Sequence, residues 1–536
     1  MSPEYPEYPE RPEHPMSPEH PMSPEHPMSP ERPTGAGLLT PRPGHRVSAK
    51  AAVCGVFVAA NFMAIMDTTI VNVALPAIGR DFGVDTSGLS SVNVGYLVAL
   101  AVFIPVSGWL GNRFGTRRTA LTALLLFTVA SALCATSGSL EALTGYRVLQ
   151  GIGGGLLAPV GMTMMLRAFP VAERLRAQQY VMLPTAIAPA LGPVLGGWLV
   201  DTASWHWVFL VNLPVGLLAL LFGLGVLPDF PGPGAPRFDV PGFLLAGGGL
   251  AAFLYALTTA PDRGWGGGGV LVPLAAGILL LAALVPWELR ARHPMIDLRV
   301  AQDQLFRTTQ LVLLPTGAAF MGVLYLFPQF LQTVRGYDAL HSGLATFPEA
   351  LGMLTASQLV PRLHDRVGPR RLMVAGGTGA ALVIVGLAIL TLAPRPLALY
   401  PSTYLLGASV GLLFASAQNA AFVTIPPSRT ADATTLLNMQ RQTAGAFGVA
   451  LAGTLAASLA PGSGTDGGFA YRVAFFTLAP LCLCAGLLAR RVSDRRVREA
   501  YAAADPSPAP GGSQGPLPGG GAVSVGGGGY GAGYVW

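Results

Sequence analysis

Charged residues are scarce in this sequence: Asp, Glu, Lys and Arg make up 11% of its 536 residues, whereas hydrophobic residues make up 51%. About a quarter of the residues of a soluble globular domain are charged, so this composition excludes a single soluble globule. Lysine is nearly absent, since Lys50 is the only one, and the formal net charge of +6 comes from arginine. An arginine excess can indicate nucleic-acid binding, but between apolar segments it is first a sign of membrane orientation. The composition predicts a polytopic membrane protein.

Residues that ligate metals are few and badly placed. The four cysteines all lie in apolar runs: Cys54, Cys134, Cys482 and Cys484. This excludes a disulfide framework and the ligand spacing of a metal site. His14, His20 and His26 lie in an N-terminal repeat of Pro, Glu, His, Met and Ser, where no other residue completes a ligand set. We therefore expect no metal and no cofactor.

What the sequence does contain is a series of apolar segments of about twenty residues, each long enough to cross a hydrocarbon core of about 30 Å. We count fourteen, and predict an all-α polytopic membrane protein with two six-helix bundles plus two linker helices. Every second connection is rich in arginine: Arg113, Arg117 and Arg118; Arg167, Arg174 and Arg176; Arg290, Arg292 and Arg299; Arg362, Arg366, Arg370 and Arg371; and Arg490, Arg491, Arg495, Arg496 and Arg498. Since cytoplasmic loops carry the arginine excess, both termini should be cytoplasmic. The heavy use of Ala, Gly, Pro and Arg is typical of a GC-rich bacterial genome, so we expect a bacterial plasma membrane.

Composition shifts divide the chain into five regions. Residues 1–50 form a Pro-rich cytoplasmic tail that we predict to be disordered. Residues 51–228 form the N-terminal six-helix bundle, and residues 307–490 form the C-terminal one. Between them, residues 229–306 hold spans seven and eight, which look detached from their neighbours. Residues 491–536 are basic and then Gly-rich, and are predicted to be a disordered cytoplasmic tail.

One carboxylate lies deep in the first span, in the run IMDTTIVNVALP from Ile65 to Pro76. An Asp at the centre of a spanning helix costs roughly 2.5–3.5 kcal/mol, so Asp67 is a candidate proton site, ion pair or ligand contact. Thr68, Thr69 and Asn72 follow within about one and a half turns and could line a wet cavity beside it. The alternative is that Asp67 lies close enough to the outer interface to be hydrated.

These segments resemble the major facilitator superfamily, specifically its fourteen-span drug/proton antiporter branch, over roughly Ala51 to Arg491. IMDTTIVNVALP is similar to the first-span motif of that branch, and GWLGNRFGTRR to the superfamily's loop motif between spans two and three. In that loop Asn112 replaces the usual acid. A weak internal copy, PRLHDRVGPRR, follows the second span of the other bundle and carries Asp365 at the equivalent place. The resemblance implies alternating access between the two bundles.

The fourth span carries YRVLQGIGGGLLAP, which resembles the family motif whose arginine is tied to proton transfer. Arg147 should favour the charged form of a nearby carboxylate; the alternative is an arginine that snorkels to the interface. APALGPVLGGWL in span five resembles the antiporter signature, whose small residues allow close helix packing. The resemblance implies a conformational role for this set: Gly108, Asn112, Arg113, Gly115, Arg117, Asp365, Arg366, Gly192, Pro193, Gly196 and Gly197. For the loop arginines, simple orientation is the alternative.

Two further charges lie in the second half of the chain. Glu349 lies within span ten in TFPEALGML, where it could accept a proton or a cation, or could be a hydrated residue at the mouth. Arg441, in LNMQRQTAGAFG, is predicted to begin span thirteen near the cytoplasm and to snorkel.

We predict a proton-coupled antiporter that exports lipophilic or cationic drugs, with Asp67, Arg147, Glu349 and Asn72 at the coupling and substrate site. Its partners would be a small-molecule substrate, protons and the lipid bilayer, with no nucleic acid and no obligatory protein partner. A dedicated exporter of one endogenous metabolite or antibiotic is the main alternative. A non-transporting sensor or a membrane enzyme is remote, because the sequence shows no intramembrane metal-ligand set and no convincing nucleophile.

Overall fold

The computed structural model describes residues 48–84, 86–228, 230, 237–337, 339–391, 396–458 and 467–504. The predicted tails lie outside these residues apart from 48–50 and 491–504. Every regular element in the described ranges is helical. Because apolar solvent offers no hydrogen bonds, a backbone that crosses a membrane must satisfy its own N–H and C=O groups, and a helix does so within one segment.

Sixteen α-helices are described: α1 (Ala49–Phe82), α2 (Thr86–Phe114), α3 (Thr116–Ala135), α4 (Leu140–Ala168), α5 (Val171–Thr202), α6 (Trp207–Leu210), α7 (Asn212–Val226), α8 (Val240–Arg263), α9 (Gly268–Arg290), α10 (Gln304–Thr333), α11 (Ala339–Val367), α12 (Pro369–Leu390), α13 (Pro396–Val423), α14 (Thr430–Ser458), α15 (Gly467–Ala489) and α16 (Asp494–Ala504). Short 3₁₀ turns precede α10 and α14. Side-chain caps fix several starts. Ser48, Ser139, Asp239 and Asp303 each accept a hydrogen bond from a backbone N–H of the first turn, as good N-caps do.

Eleven of these helical segments are long and apolar enough to cross a membrane, by length and composition. The all-helical membrane fold is therefore confirmed for the described residues. Helices α5, α11 and α14 have similar lengths but are outside that group of eleven. The full count of fourteen spans and the division into two six-helix bundles stay predictions.

The internal copy of the loop motif has a structural counterpart. Gly115 directly precedes α3 and Gly368 directly precedes α12, with φ of 85° and 87°. Both values lie in the left-handed region that favours glycine. The two copies therefore make the same sharp turn between consecutive helices.

Helices pack mainly within the first half of the chain and within the second half. Helix α4 packs against α2 and α3, and α1 packs against α5; in the second half α13 packs against α11 and α12, and α10 packs against α14 and α15. Across the halves, α5 contacts α11, and α14 contacts α2 and α4. We call the end of the molecule with the Arg-rich connections the basic end. It is held together by the contact of Arg167 with Asn112 and by the Arg370 amide, which donates to Asp494 at 2.8 Å.

Helices α8 and α9 pack against each other as a hairpin, and the expectation that they are detached is wrong. Helix α8 packs on both α2 and α14, where Ala246 and Leu250 are fully buried. In the turn between the two helices, Trp265 donates its indole N–H to Thr454 Oγ1 of α14 at 2.7 Å. The hairpin thus touches both halves of the chain.

Candidate functional site

Asp67 lies in α1 with none of its surface exposed, and its carboxylate is the centre of a polar cluster. Arg147 Nη1 of α4 donates to Asp67 Oδ2 at 2.5 Å. Two amide groups, from Gln150 Nε2 of α4 and Asn212 Nδ2 of α7, donate to Oδ1 at 2.9 and 3.0 Å. Side chains from two other helices therefore converge on one carboxylate.

A second layer of contacts fixes those donors. Ser131 Oγ of α3 accepts from both Gln150 and Asn212 at 3.1 Å, and donates to the Phe209 carbonyl at 2.9 Å. Gln150 Oε1 accepts from Arg147 Nη1 at 2.7 Å. Because residues three apart on a helix share a face, α4 presents Arg147 and Gln150 together. Members of the cluster therefore hold one another in position through hydrogen bonds.

The guanidinium of Arg147 is also held by aromatic rings. It lies 4.1 Å from the ring centroid of Tyr96 and 5.8 Å from that of Phe209, distances at which a cation is attracted to a ring. Its Nε and Nη2 atoms, with Tyr96 Oη and Asn212 Oδ1, are buried without a hydrogen-bond partner in the described part of the chain. These groups can bind a ligand or solvent if the cluster opens.

Breaking this pair would be costly. Removing one partner of a buried ion pair leaves an uncompensated charge and typically costs 3–5 kcal/mol. One guanidinium and two amides donate hydrogen bonds to the carboxylate. A proton on Asp67 would therefore leave the guanidinium of Arg147 buried without its counter-ion.

The other predicted polar residues of α1 are not part of the cluster. Asn72 bonds the Thr68 carbonyl at 3.1 Å and accepts from Asn93 of α2 at 2.5 Å. Thr68 and Thr69 donate to carbonyls of their own helix. Five residues correspond to about 500° of helical rotation, so the side chain of Asn72 points well away from that of Asp67.

Three members of the cluster were missed in the sequence: Ser131, Gln150 and Asn212. Two of them carry a recognisable signal. Gln150 stands three residues after Arg147, and Asn212 interrupts the apolar run WVFLVNLPVG. Ser131 gives no such signal, because small hydroxyl residues are common in membrane helices.

Glu349 lies in α11, away from this cluster, and is 4% exposed. Its Oε1 atom is buried without a partner, and no ion pair with a described residue involves it. Its backbone is packed against α13, where a Cβ on Gly407 would come within 1.8 Å of the Glu349 carbonyl. The close contact of α11 with α13 therefore fixes the backbone that carries this unpaired carboxylate.

The glycines predicted in span five lie against the helix that carries Asp67. A Cβ on Gly192 would meet Thr69 Oγ1 at 2.0 Å, and one on Gly196 would meet Ile70 Cγ1 at 2.9 Å, whereas Gly197 faces open space. Gly192 and Gly196 thus permit the close contact of α1 with α5. The side chain of Pro193 lies outside the described part of the structure.

The loop motif meets the second half of the chain at the basic end. A Cβ on Gly108 of α2 would lie 3.1 Å from Thr435 Oγ1 of α14. Beside it, Ser107 and Thr435 share a hydrogen bond of 3.2 Å, and Thr163 and Thr434 share one of 2.7 Å. The two halves are therefore in direct contact at this end.

The described polar and charged residues of the two motif copies make separate contacts. Arg167 donates to Asn112 Oδ1 at 3.2 Å, and Arg117 donates to the Leu224 carbonyl at 2.7 Å. Arg113 and Arg366 are exposed. The side chain of Asp365 is not among those described.

Comparisons with known proteins agree on one family. The model of the Major Facilitator Superfamily matches residues 57–449. A multidrug resistance protein B homolog of Mycobacterium tuberculosis is 34% identical over 412 residues, 75% of each chain. A putative multidrug resistance protein MdtD of Klebsiella pneumoniae is 35% identical over 405 residues, 74% of this chain and 83% of that protein.

Solved structures show the same fold at low sequence identity. The proton:xylose symporter XylE superposes with a TM-score of 0.60 at 14% identity, covering 85% of this chain and 99% of that one. The human organic anion transporter MFSD10 also gives 0.60, at 16% identity, covering 83% of this chain and all of that one.

Proposed function

This chain belongs to the major facilitator superfamily, whose members are membrane transporters and not enzymes, and we propose that it is a proton-coupled antiporter that exports lipophilic or cationic drugs. The relatives named as multidrug resistance proteins support drug export. The observation that carries the proton coupling is the fully buried pair of Asp67 and Arg147. Both halves of the chain would move by alternating access in the plasma membrane of a bacterium.

The proposed topology has fourteen spans, in two six-helix bundles at 51–228 and 307–490 with the α8–α9 hairpin between them. The basic end would face the cytoplasm, as would both termini, because arginine-rich loops stay inside. Ser107 with Thr435 and Thr163 with Thr434 join the halves at that end. The structure would then represent a state that is closed toward the cytoplasm.

The coupling step follows from the cost of an unpaired charge. A proton that reaches Asp67 from outside cancels the carboxylate's charge and leaves the guanidinium of Arg147 buried without its counter-ion. The helices that carry the cluster, α1, α4 and α7, then favour another arrangement. Release of the proton to the inside restores the pair.

A route from this cluster to the second half runs through α5. Gly192 and Gly196 bring α5 against α1 next to Asp67, and α5 also packs against α11, which carries Glu349. A shift of α1 would therefore displace α5 and, through it, α11. The unpaired carboxylate of Glu349 on α11 can take a proton or a cationic drug. Moving one charge through 100 mV yields about 2.3 kcal/mol, enough for roughly fiftyfold accumulation.

Drug-induced proton release tests this function. Proteoliposomes or inverted vesicles with an acid interior are exposed to lipophilic cations and antibiotics, and the parent is compared with Asp67→Asn. We expect several compounds to dissipate the gradient with the parent and none with the variant. Glu141→Gln removes an exposed carboxylate near the start of α4 and is the matched control.

Each other result has a clear meaning. Equal activity of the parent and Asp67→Asn would contradict the role of Asp67 and direct attention to Glu349. Release with one compound from a broad panel would favour the dedicated exporter of a single metabolite or antibiotic. No release with any compound would contradict drug/proton exchange for the compounds tested.

A further inference from the structure

Helix α16 follows the last apolar helix of the chain, from which only residues 490–493 separate it. It contacts α12 and α13 of the second half and α5 of the first half. Helices α5 and α12 begin at Arg-rich connections, so these contacts lie at the basic end. Helix α16 therefore crosses the boundary between the halves, at the end that the proposed function places in the cytoplasm.

Two polar contacts fix α16 to the second half. Asp494 Oδ1 accepts from the Arg370 N–H of α12 at 2.8 Å, and Arg496 donates to the side-chain oxygen of Gln304 at the start of α10. Gly368, the residue before α12, has no side chain with which to cap that helix. A carboxylate is favourable at a helix N-terminus, so Asp494 caps α12 from another helix. With these contacts and its short connection to α15, α16 moves with the second half.

Apolar packing joins α16 to the first half. Val497 is fully buried and belongs to one apolar cluster with Ala177 of α5 and Phe422 of α13. In the same region Arg174 of α5 donates to the Phe422 carbonyl at 3.3 Å, so α5 and α13 touch directly. Arg498, on another side of α16, is exposed. The buried side of α16 therefore covers the contact between α5 and α13.

We propose that α16 is a clasp: it stays on the second half, holds α5 through Val497 and thereby stabilises the state closed toward the cytoplasm. This inference rests on the alternating access of the proposed function, which requires the two halves to separate at the basic end. Separation would expose Val497 and its apolar partners to water, at a cost that grows with the apolar area uncovered. Because apolar contacts are not directional, this one can break and form again in each cycle.

Distances between spin labels on the two halves test the clasp in the full-length protein. A cysteine-free background carries Arg118→Cys in α3 and Arg371→Cys in α12, two exposed positions at the basic end. Opening of that end lengthens the distance between the labels. We expect Val497→Asp to raise the share of the longer distance about fivefold or more, because the two states differ by only a few kcal/mol. Asp494→Ala should act in the same direction but less, and Arg498→Gln is the exposed control.

Distance distributions of Val497→Asp and Asp494→Ala that match the parent would overturn the inference. If Val497→Asp does not fold, Val497→Ala takes its place, with a smaller rise expected and an unchanged distribution as the contradicting result. Drug-induced proton release is measured on the same proteins after reconstitution. A longer distance in the Val497 variants without proton release by the parent would retain the clasp and reject the proposed antiport. Proton release with unchanged distances in every variant would retain the antiport and reject the clasp.

Discussion

The two halves of the chain differ in whether the charges within their long helices are paired. In the first half, Asp67 and Arg147 pair with each other and are surrounded by Gln150 and Asn212, so that the carboxylate is fully satisfied. In the second half, Glu349 and Arg441 have no ion-pair partner among the described residues. A satisfied pair is stable until a proton disturbs it, whereas an unpaired charge is available to a ligand. Under the proposed function, the first half would couple the proton and the second half would bind the cargo.

The largest effect on stability is expected when the ion pair of Asp67 and Arg147 in the first half is broken. Arg147→Gln leaves the Asp67 carboxylate buried without a cation, and we expect a loss of about 3–5 kcal/mol in stability. Asp67→Asn combined with Arg147→Gln removes both charges and should recover most of that loss. Thermal unfolding in detergent measures the four corners of this cycle. Additive effects of the two substitutions would contradict a direct energetic link.

Part of this site was accessible from the sequence. Asp67 and Arg147 stand out because a charge in an apolar segment is costly wherever that segment packs. The partners Gln150, Asn212 and Ser131 are ordinary polar residues, and their role depends on how α3, α4 and α7 surround α1. Packing between segments that are distant in the sequence sets those positions, so no local sequence pattern predicts them.

The helix that carries Arg441 begins earlier than its apolar run predicts. Hydropathy locates the apolar part of a helix, but α14 begins at Thr430 with polar residues that hydropathy assigns to a loop. The helix therefore starts before the apolar run, and Arg441 lies eleven residues after its first residue. The predicted all-helical membrane fold was unaffected, because it depends on the number and length of apolar segments and not on their precise limits.

A smaller effect is expected where the first half meets α5. Gly192→Ala places a methyl group 2.0 Å from Thr69 Oγ1, within the contact between α1 and α5. Overpacking of this kind costs about 1–3 kcal/mol, and a displaced α5 should also impair transport. Gly197→Ala is the matched control, because its methyl group meets open space. Comparable unfolding temperatures and transport rates for the two variants would show that this contact does not carry the coupling.

The smallest effect on stability is expected at Glu349, and there the two halves should differ most clearly. Glu349→Gln keeps the size of the side chain and removes a charge that has no ion-pair partner, so the unfolding temperature should be unchanged or higher, in contrast to Arg147→Gln. Drug-induced proton release with a lipophilic cation should nevertheless fall, because the proposed cation site at Glu349 loses its carboxylate. Asp67→Asn, measured in parallel, should abolish release with every cargo. A loss of stability at Glu349 as large as that at Arg147 would mean that this carboxylate is stabilised by partners of its own, and the contrast between the halves would then fail.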